Sequence, residues 1–157
     1  MANTDLLRLA AMDAEDLSVI SAHVQDAVLK VGDMTYLPRE RRFVAAMNRF
    51  IWEKADGKRR DYERRRAALT FDRVKAVKLS RIDRSRPQAV LELLAVNFGA
   101  SDGGDGPDGA VTLVFAGGGA VRLEVEVIEV RLADLGTAWA TAAKPAHDLG
   151  HDTKRSA

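Results

Sequence analysis

The chain has no cysteine, only 6% aromatic residues, four prolines and a net charge of just +1 over 157 residues. Without cysteine there are no disulfides, no thiolate metal sites and no thiol nucleophile. No apolar run approaches the roughly 20 residues that cross a bilayer as a helix. The opening Met1-Ala2-Asn3-Thr4-Asp5 lacks the basic segment, apolar stretch and cleavage site of a secretory signal, so a cytoplasmic location is expected. With 46% apolar residues and so little net charge, wholesale disorder is not expected. At roughly 100–200 residues per domain the chain is one domain. We place it at 1–147, with 148–157 as a flexible tail.

The small net charge conceals a segregation. Residues 1–38 carry 2 Lys+Arg against 6 Asp+Glu, a balance of −4. Residues 39–86 carry 17 against 7, or +10, and residues 87–157 carry 5 against 10, or −5. Either the acidic and basic parts neutralise one another within the domain, or the basic part forms a face for phosphate or an acidic partner.

Leu6–Met12 reads as a strand. Asp13 then caps a helix over about 14–26, with Asp16 in a variant capping box and Leu17, Ile20 and Val24 at helical spacing. Val28–Leu37 and Arg42–Trp52 read as strands joined at Pro38, with a parity change near Asn48-Arg49 that predicts a bulge. Lys54–Arg66 is nearly all charged and reads as a solvated loop. Ala68–Ile82 predicts a further strand with room for a bulge. Ala89–Phe98 predicts one apolar enough to be buried on both faces. Gly99–Gly109 reads as a flexible loop. Ala110–Ala116 and Val121–Val125 form a hairpin around Gly117-Gly118-Gly119. Ile128, Leu132 and Leu135, with Gly136 after them, predict a short helix over 127–135, and Trp139 pins the start of the tail.

These elements predict an α+β fold. It is a mainly antiparallel sheet, or partly open barrel, of about seven strands, with one helix after the first strand and one after the last. That order has the outline of a pleckstrin-homology-like barrel, an analogy that carries no phosphoinositide binding.

Four stretches carry a resemblance. They are Pro38-Arg39-Glu40-Arg41-Arg42-Phe43, Asn48-Arg49-Phe50-Ile51-Trp52-Glu53, the segment Phe115–Glu126, and Ala133-Asp134-Leu135-Gly136. Together they resemble a family of short alphaproteobacterial proteins, a domain of unknown function numbered 2948. The resemblance spans about Leu6 to His147 and is most specific in the glycine hairpin and its return strand. It implies a bacterial, cytoplasmic, stand-alone domain and transfers no functional residue.

No reactive constellation survives inspection. His147 and His151 are four apart, but Pro145 and Gly150 interrupt their segment and no third ligand accompanies them. Gly103-Gly104-Asp105-Gly106-Pro107-Asp108 matches one copy of a calcium nonapeptide, which works only in stacked repeats. The triple glycine lacks the Lys-Ser/Thr and helix of a phosphate loop, and no serine sits in a Gly-x-Ser-x-Gly elbow. Glu124 and Glu126 form a solvent-facing row. His23 is the one histidine in a well-marked element. Neither metal nor cofactor is expected.

The leading expectation is therefore a non-enzymatic, protein-binding module. The alternative is nucleic-acid or anionic-ligand binding through 39–66, with Arg41, Arg42, Arg49, Arg64, Arg65 and Arg66 on one face and Trp52 and Tyr62 nearby. Those arginines have a blander reading, in which they are solvated or ion-paired within the fold. A small-ligand sensor or enzyme is the third reading, and homodimerisation through an open sheet edge is a further possibility.

Overall fold

The computed structural model describes residues 6–51, 62–101, 104, 106–136 and 139–141, with backbone alone for 62, 63 and 139–141. In chain order the elements are β1 (Arg8–Ala11), α1 (Ala14–Val24), β2 (Val28–Lys30), β3 (Met34–Leu37), β4 (Arg42–Phe50) and β5 (Tyr62–Phe71). Then follow β6 (Val74–Ser80), β7 (Val90–Ala100), β8 (Gly109–Phe115), β9 (Ala120–Val125), β10 (Val130–Asp134) and β11 (Trp139–Thr141). The strands form an antiparallel sheet in the order β1-β10-β5-β4-β2-β7-β8-β9-β6, with β3 alongside β4 and β11 alongside β5. The path is open: β1 and β6 end it and do not pair with each other.

One helix crosses this sheet. Asp13 caps it as its pattern predicts: the carboxylate accepts the Asp16 N–H at 2.8 Å. Leu17, Ile20 and Val24 are buried. The Ser21 hydroxyl accepts the Val96 N–H at 2.9 Å, which fastens the helix to β7. Beneath it the core runs continuously from Phe43, Met47, Leu69 and Phe71 to Leu93, Leu113, Val121 and Leu123.

Several predicted elements are corrected. Val28–Leu37 is not one strand. A 3-10 turn at Val31–Asp33 interrupts the chain, so β2, which lies between β4 and β7, and β3, which pairs with β4, are separate pieces. No bulge occurs at Asn48-Arg49: β4 and β5 pair without a break from Phe43–Phe71 to Phe50–Arg64. The apparent parity change arises because Met47 to Ile51 are all buried, on both faces. The bulges lie instead between Val74 and Ala76 in β6 and between Leu93 and Ala95 in β7.

Arg64 to Arg66 are strand residues of β5 rather than part of a charged loop. The chain then turns at Asp72-Arg73, so the single strand predicted over 68–82 is the end of β5 plus β6, and these two do not pair. β7 is not buried on both faces, since Leu94 is exposed.

The helix predicted at 127–135 is strand β10, between β1 and β5. Ile128, Leu132 and Leu135 fit helical spacing, but Ile128, Val130, Leu132 and Asp134 fit a period of two equally well and are the buried set. A run this short satisfies both periods, and two neighbouring strands decide it. The pleckstrin-homology-like outline loses its closing helix with that correction, and the strand count exceeds seven.

The glycine hairpin is as expected: Gly117 and Gly118 adopt φ of 88° and 98° between β8 and β9. Gly109 is fixed by a close approach, since a Cβ there would lie 2.3 Å from the Gly99 carbonyl oxygen. Trp52, Lys58 to Asp61, His147, His151 and the tail from 148 lie outside the described residues, as do parts of the Gly103–Asp108 loop.

Candidate functional site

The six arginines singled out in the sequence fall into two groups. Arg41 is the turn residue before β4 and Arg42 opens the strand, whereas Arg49 lies seven residues beyond Arg42, roughly 23 Å away at strand rise. Arg49 and Arg65 are register partners on adjacent strands, as are Phe50 and Arg64, and Asn48 and Arg66. Between Arg49 and Arg65 sits Asp134 of β10.

Its carboxylate is saturated. Oδ1 accepts Arg49 Nε at 2.8 Å, while Oδ2 accepts Arg49 Nη2 at 3.0 Å, Arg65 Nη1 at 3.2 Å and the Leu7 N–H at 2.8 Å. Burial pushes the Asp134 carboxyl up. The hydrogen bonds from Arg49, Leu7 and Arg65 outweigh that and hold it below the ordinary aspartate range. Arg64 Nη1 donates to the Asn48 carbonyl at 3.2 Å. Arg66 reaches Asn48 Oδ1 at 3.1 Å and Asp33 at 3.6 Å.

The other group is exposed and also paired. Arg41 meets Glu126, and Arg42 Nε donates to Asp72 at 2.7 Å. The hydrogen bond and charge of Asp72 raise the Arg42 pKa above its ordinary value. Arg131 completes Asp72 at 3.0 Å, and Arg73 joins Glu126 and Glu129. The arginines therefore do not share one face. Asp33, Glu126 and Asp134 from the acidic thirds pair with Arg66, Arg41, Arg73, Arg49 and Arg65 of the basic third.

A different feature is open to a partner. Among the described residues, β3 pairs only with β4 and β6 only with β9, so each leaves one edge without a described strand beside it. No backbone hydrogen bond joins 34–37 to 75–80. Between these edges lies a groove of about 520 Å³, lined by Val31, Met34, Tyr36, Phe43, Val77 and Leu79, with Thr35 and Arg84 at its rim. Phe43 is nearly fully buried and tilts against Phe71, with ring centroids 6.1 Å apart, which makes a rigid floor.

Both ends of the groove are tied. At one end the Tyr36 hydroxyl donates to the Val74 carbonyl at 2.8 Å, and the Val74 N–H donates to the Arg41 carbonyl at 2.9 Å. At the other the Gly32 N–H donates to the Pro87 carbonyl at 2.9 Å. The alternation of Val77 and Leu79 with Lys78 was visible in the sequence. That β6 swings away from β5 to face β3 was not, because no local pattern encodes which strands stay apart.

A family model described as "Protein of unknown function (DUF2948)" matches residues 7–147. The chain belongs to DUF2948. No curated protein and no solved structure matches it. Among the described residues of this DUF2948 chain, no three His, Asp or Glu side chains are grouped to hold a metal, and no helix is long and apolar enough to cross a membrane. His23 lies in the last turn of α1, away from the groove-lining residues.

Proposed function

We propose that this DUF2948 chain is a non-enzymatic protein-binding module that takes an extended polypeptide segment into the groove between β3 and β6. The observation that carries this reading is the pair of free strand edges flanking one apolar floor. Each edge presents backbone N–H and C=O groups at strand spacing, so an added strand gains main-chain hydrogen bonds while its alternate side chains cover the floor. Met34, Tyr36, Val77 and Leu79 are only partly buried although they pack on the core, so a partner there removes apolar surface from water.

Polar groups do not converge in this groove as they do in a catalytic pocket. The Tyr36 hydroxyl is committed to the Val74 carbonyl, which leaves Thr35 and Arg84. Among the described residues of 39–66, Arg41, Arg42, Arg49, Arg65 and Arg66 already hold Glu126, Asp72, Asp134 and Asp33, while Lys54, Lys58, Arg59 and Arg60 lie outside the described residues.

The test is selection of peptides from a random display library on the full chain, followed by amide hydrogen exchange of the complex. Protection confined to 34–37 and 75–80 is expected. Failure to enrich any peptide, or protection elsewhere on the sheet, overturns the reading.

A further inference from the structure

We infer that the segment received by this groove alternates apolar residues with aspartate or glutamate, the acidic side chains lying on its outer face. This rests on strand addition between β3 and β6 and specifies its partner. In β6, Val77 and Leu79 face inward opposite Leu123 and Val121 of β9, whereas Lys78 faces outward opposite Arg122. A strand laid on the free edge of β6 repeats that alternation. Its inward residues meet Val77, Leu79, Met34 and Tyr36, and its outward residues stand beside Lys78 at cross-strand distance.

Lys78 has a charge to satisfy. Its cross-strand neighbour Arg122 is also cationic, and Arg122 is turned to Glu124 at 3.2 Å. Lys75, Lys78 and Arg84 are all exposed, and none has an ion pair or side-chain hydrogen bond among the described residues. This contrasts with Arg41, Arg42, Arg49, Arg65, Arg66, Arg73, Arg122 and Arg131, every one of which holds a carboxylate. Lys75 and Lys78 lie on β6 and Arg84 in the turn after it, beside the groove.

The same lysines argue against a second copy as the occupant. Two β6 edges brought together would crowd the Lys75 and Lys78 of one copy against those of the other. A phosphodiester chain would meet the cations but would leave the strand-spaced backbone groups and the apolar floor unmatched.

Fluorescence anisotropy on the full chain tests this with labelled peptides of about eight residues, a length that spans β6. Three repeats are compared: Val-Glu, Val-Ser and Val-Lys. At low salt the Val-Glu peptide is expected to bind about tenfold more tightly than Val-Ser, with Val-Lys weakest, and added salt narrows the gap. Lys78→Glu, an exposed change checked by circular dichroism, is expected to reverse the order of Val-Glu and Val-Lys. Equal binding of all three peptides overturns the charge inference and leaves strand addition standing. No binding by any of them overturns both. Displacement of Val-Glu by oligothymidylate, with the same loss in Lys78→Glu, assigns the edge to nucleic acid and overturns the inference. Self-association in sedimentation that excludes the peptide assigns the groove to a second copy and also overturns it.

Discussion

Arg49 grips Asp134 with two parallel hydrogen bonds, at 2.8 and 3.0 Å, and neither side chain is exposed at all. One residue comes from the basic third of the chain and the other from the acidic C-terminal third. The pair joins β4 to β10 across β5, and Arg65 on β5 adds a third bond to the same carboxylate. The segregated charges of the sequence meet in the interior, where this ion pair ties β4 to β10.

Asp134→Asn keeps the shape of the side chain and removes its charge. Arg49 and Arg65 then lie buried beside a neutral amide. Removing one partner of a buried ion pair typically costs about 3–5 kcal/mol. Urea denaturation of the purified variant is expected to show a loss of that order with an unchanged slope. A loss below about 1 kcal/mol would refute the central place given to this carboxylate.

Acid should act through the same group. The folded-state pKa of Asp134 is held below its unfolded value. Its contribution is therefore fully present above the unfolded aspartate value, about 3.9, and is lost as pH falls through the lower folded value. Urea midpoints measured from neutral pH downward are expected to fall below about pH 4. Asp134→Asn should fall less steeply over that window, because the residue no longer takes up a proton.

Much of the architecture was legible in local pattern. Asp13, Leu17, Ile20 and Val24 announce α1, and Gly117 and Gly118 announce the β8–β9 hairpin, because caps and positive-φ turns depend on neighbours in sequence. Other features depend on distant partners. Ile128 to Leu135 fits a helix until β1 and β5 are known to flank it. Arg64 to Arg66 look solvated until Asp134, Asn48 and Asp33 arrive from elsewhere. The groove was the least legible feature, since it is defined by Tyr36 and Leu79 lying on strands that do not pair. No residue type marks an edge that stays free.

The cap on α1 gives a local prediction. Asp13→Ala removes the acceptor of the Asp16 N–H, which is exposed and has water to turn to. Loss of such a cap costs about 1 kcal/mol. Thermal unfolding is expected to shift down by a few degrees, roughly 2–4 °C for a chain of this size. Asp13→Ser, which keeps an acceptor, should recover most of it.

Tyr36→Phe tests the tie at the end of the groove. The substitution keeps the ring that lines the floor and deletes only the hydroxyl that donates to the Val74 carbonyl at 2.8 Å. No added bulk is introduced, so the cost is that of one hydrogen bond, about 0.5–1.5 kcal/mol. The loss should be local as well as global, because among the described residues the hydrogen bonds that fasten β6 on this side are that one and the Val74 N–H to the Arg41 carbonyl. Native-state hydrogen exchange is expected to quicken at Val74, with little change at Leu69 or Leu113 in the core. Uniform acceleration across the sheet would mean that the hydroxyl supports the whole fold. No change at Val74 would mean that the main-chain bond to Arg41 holds the groove end alone.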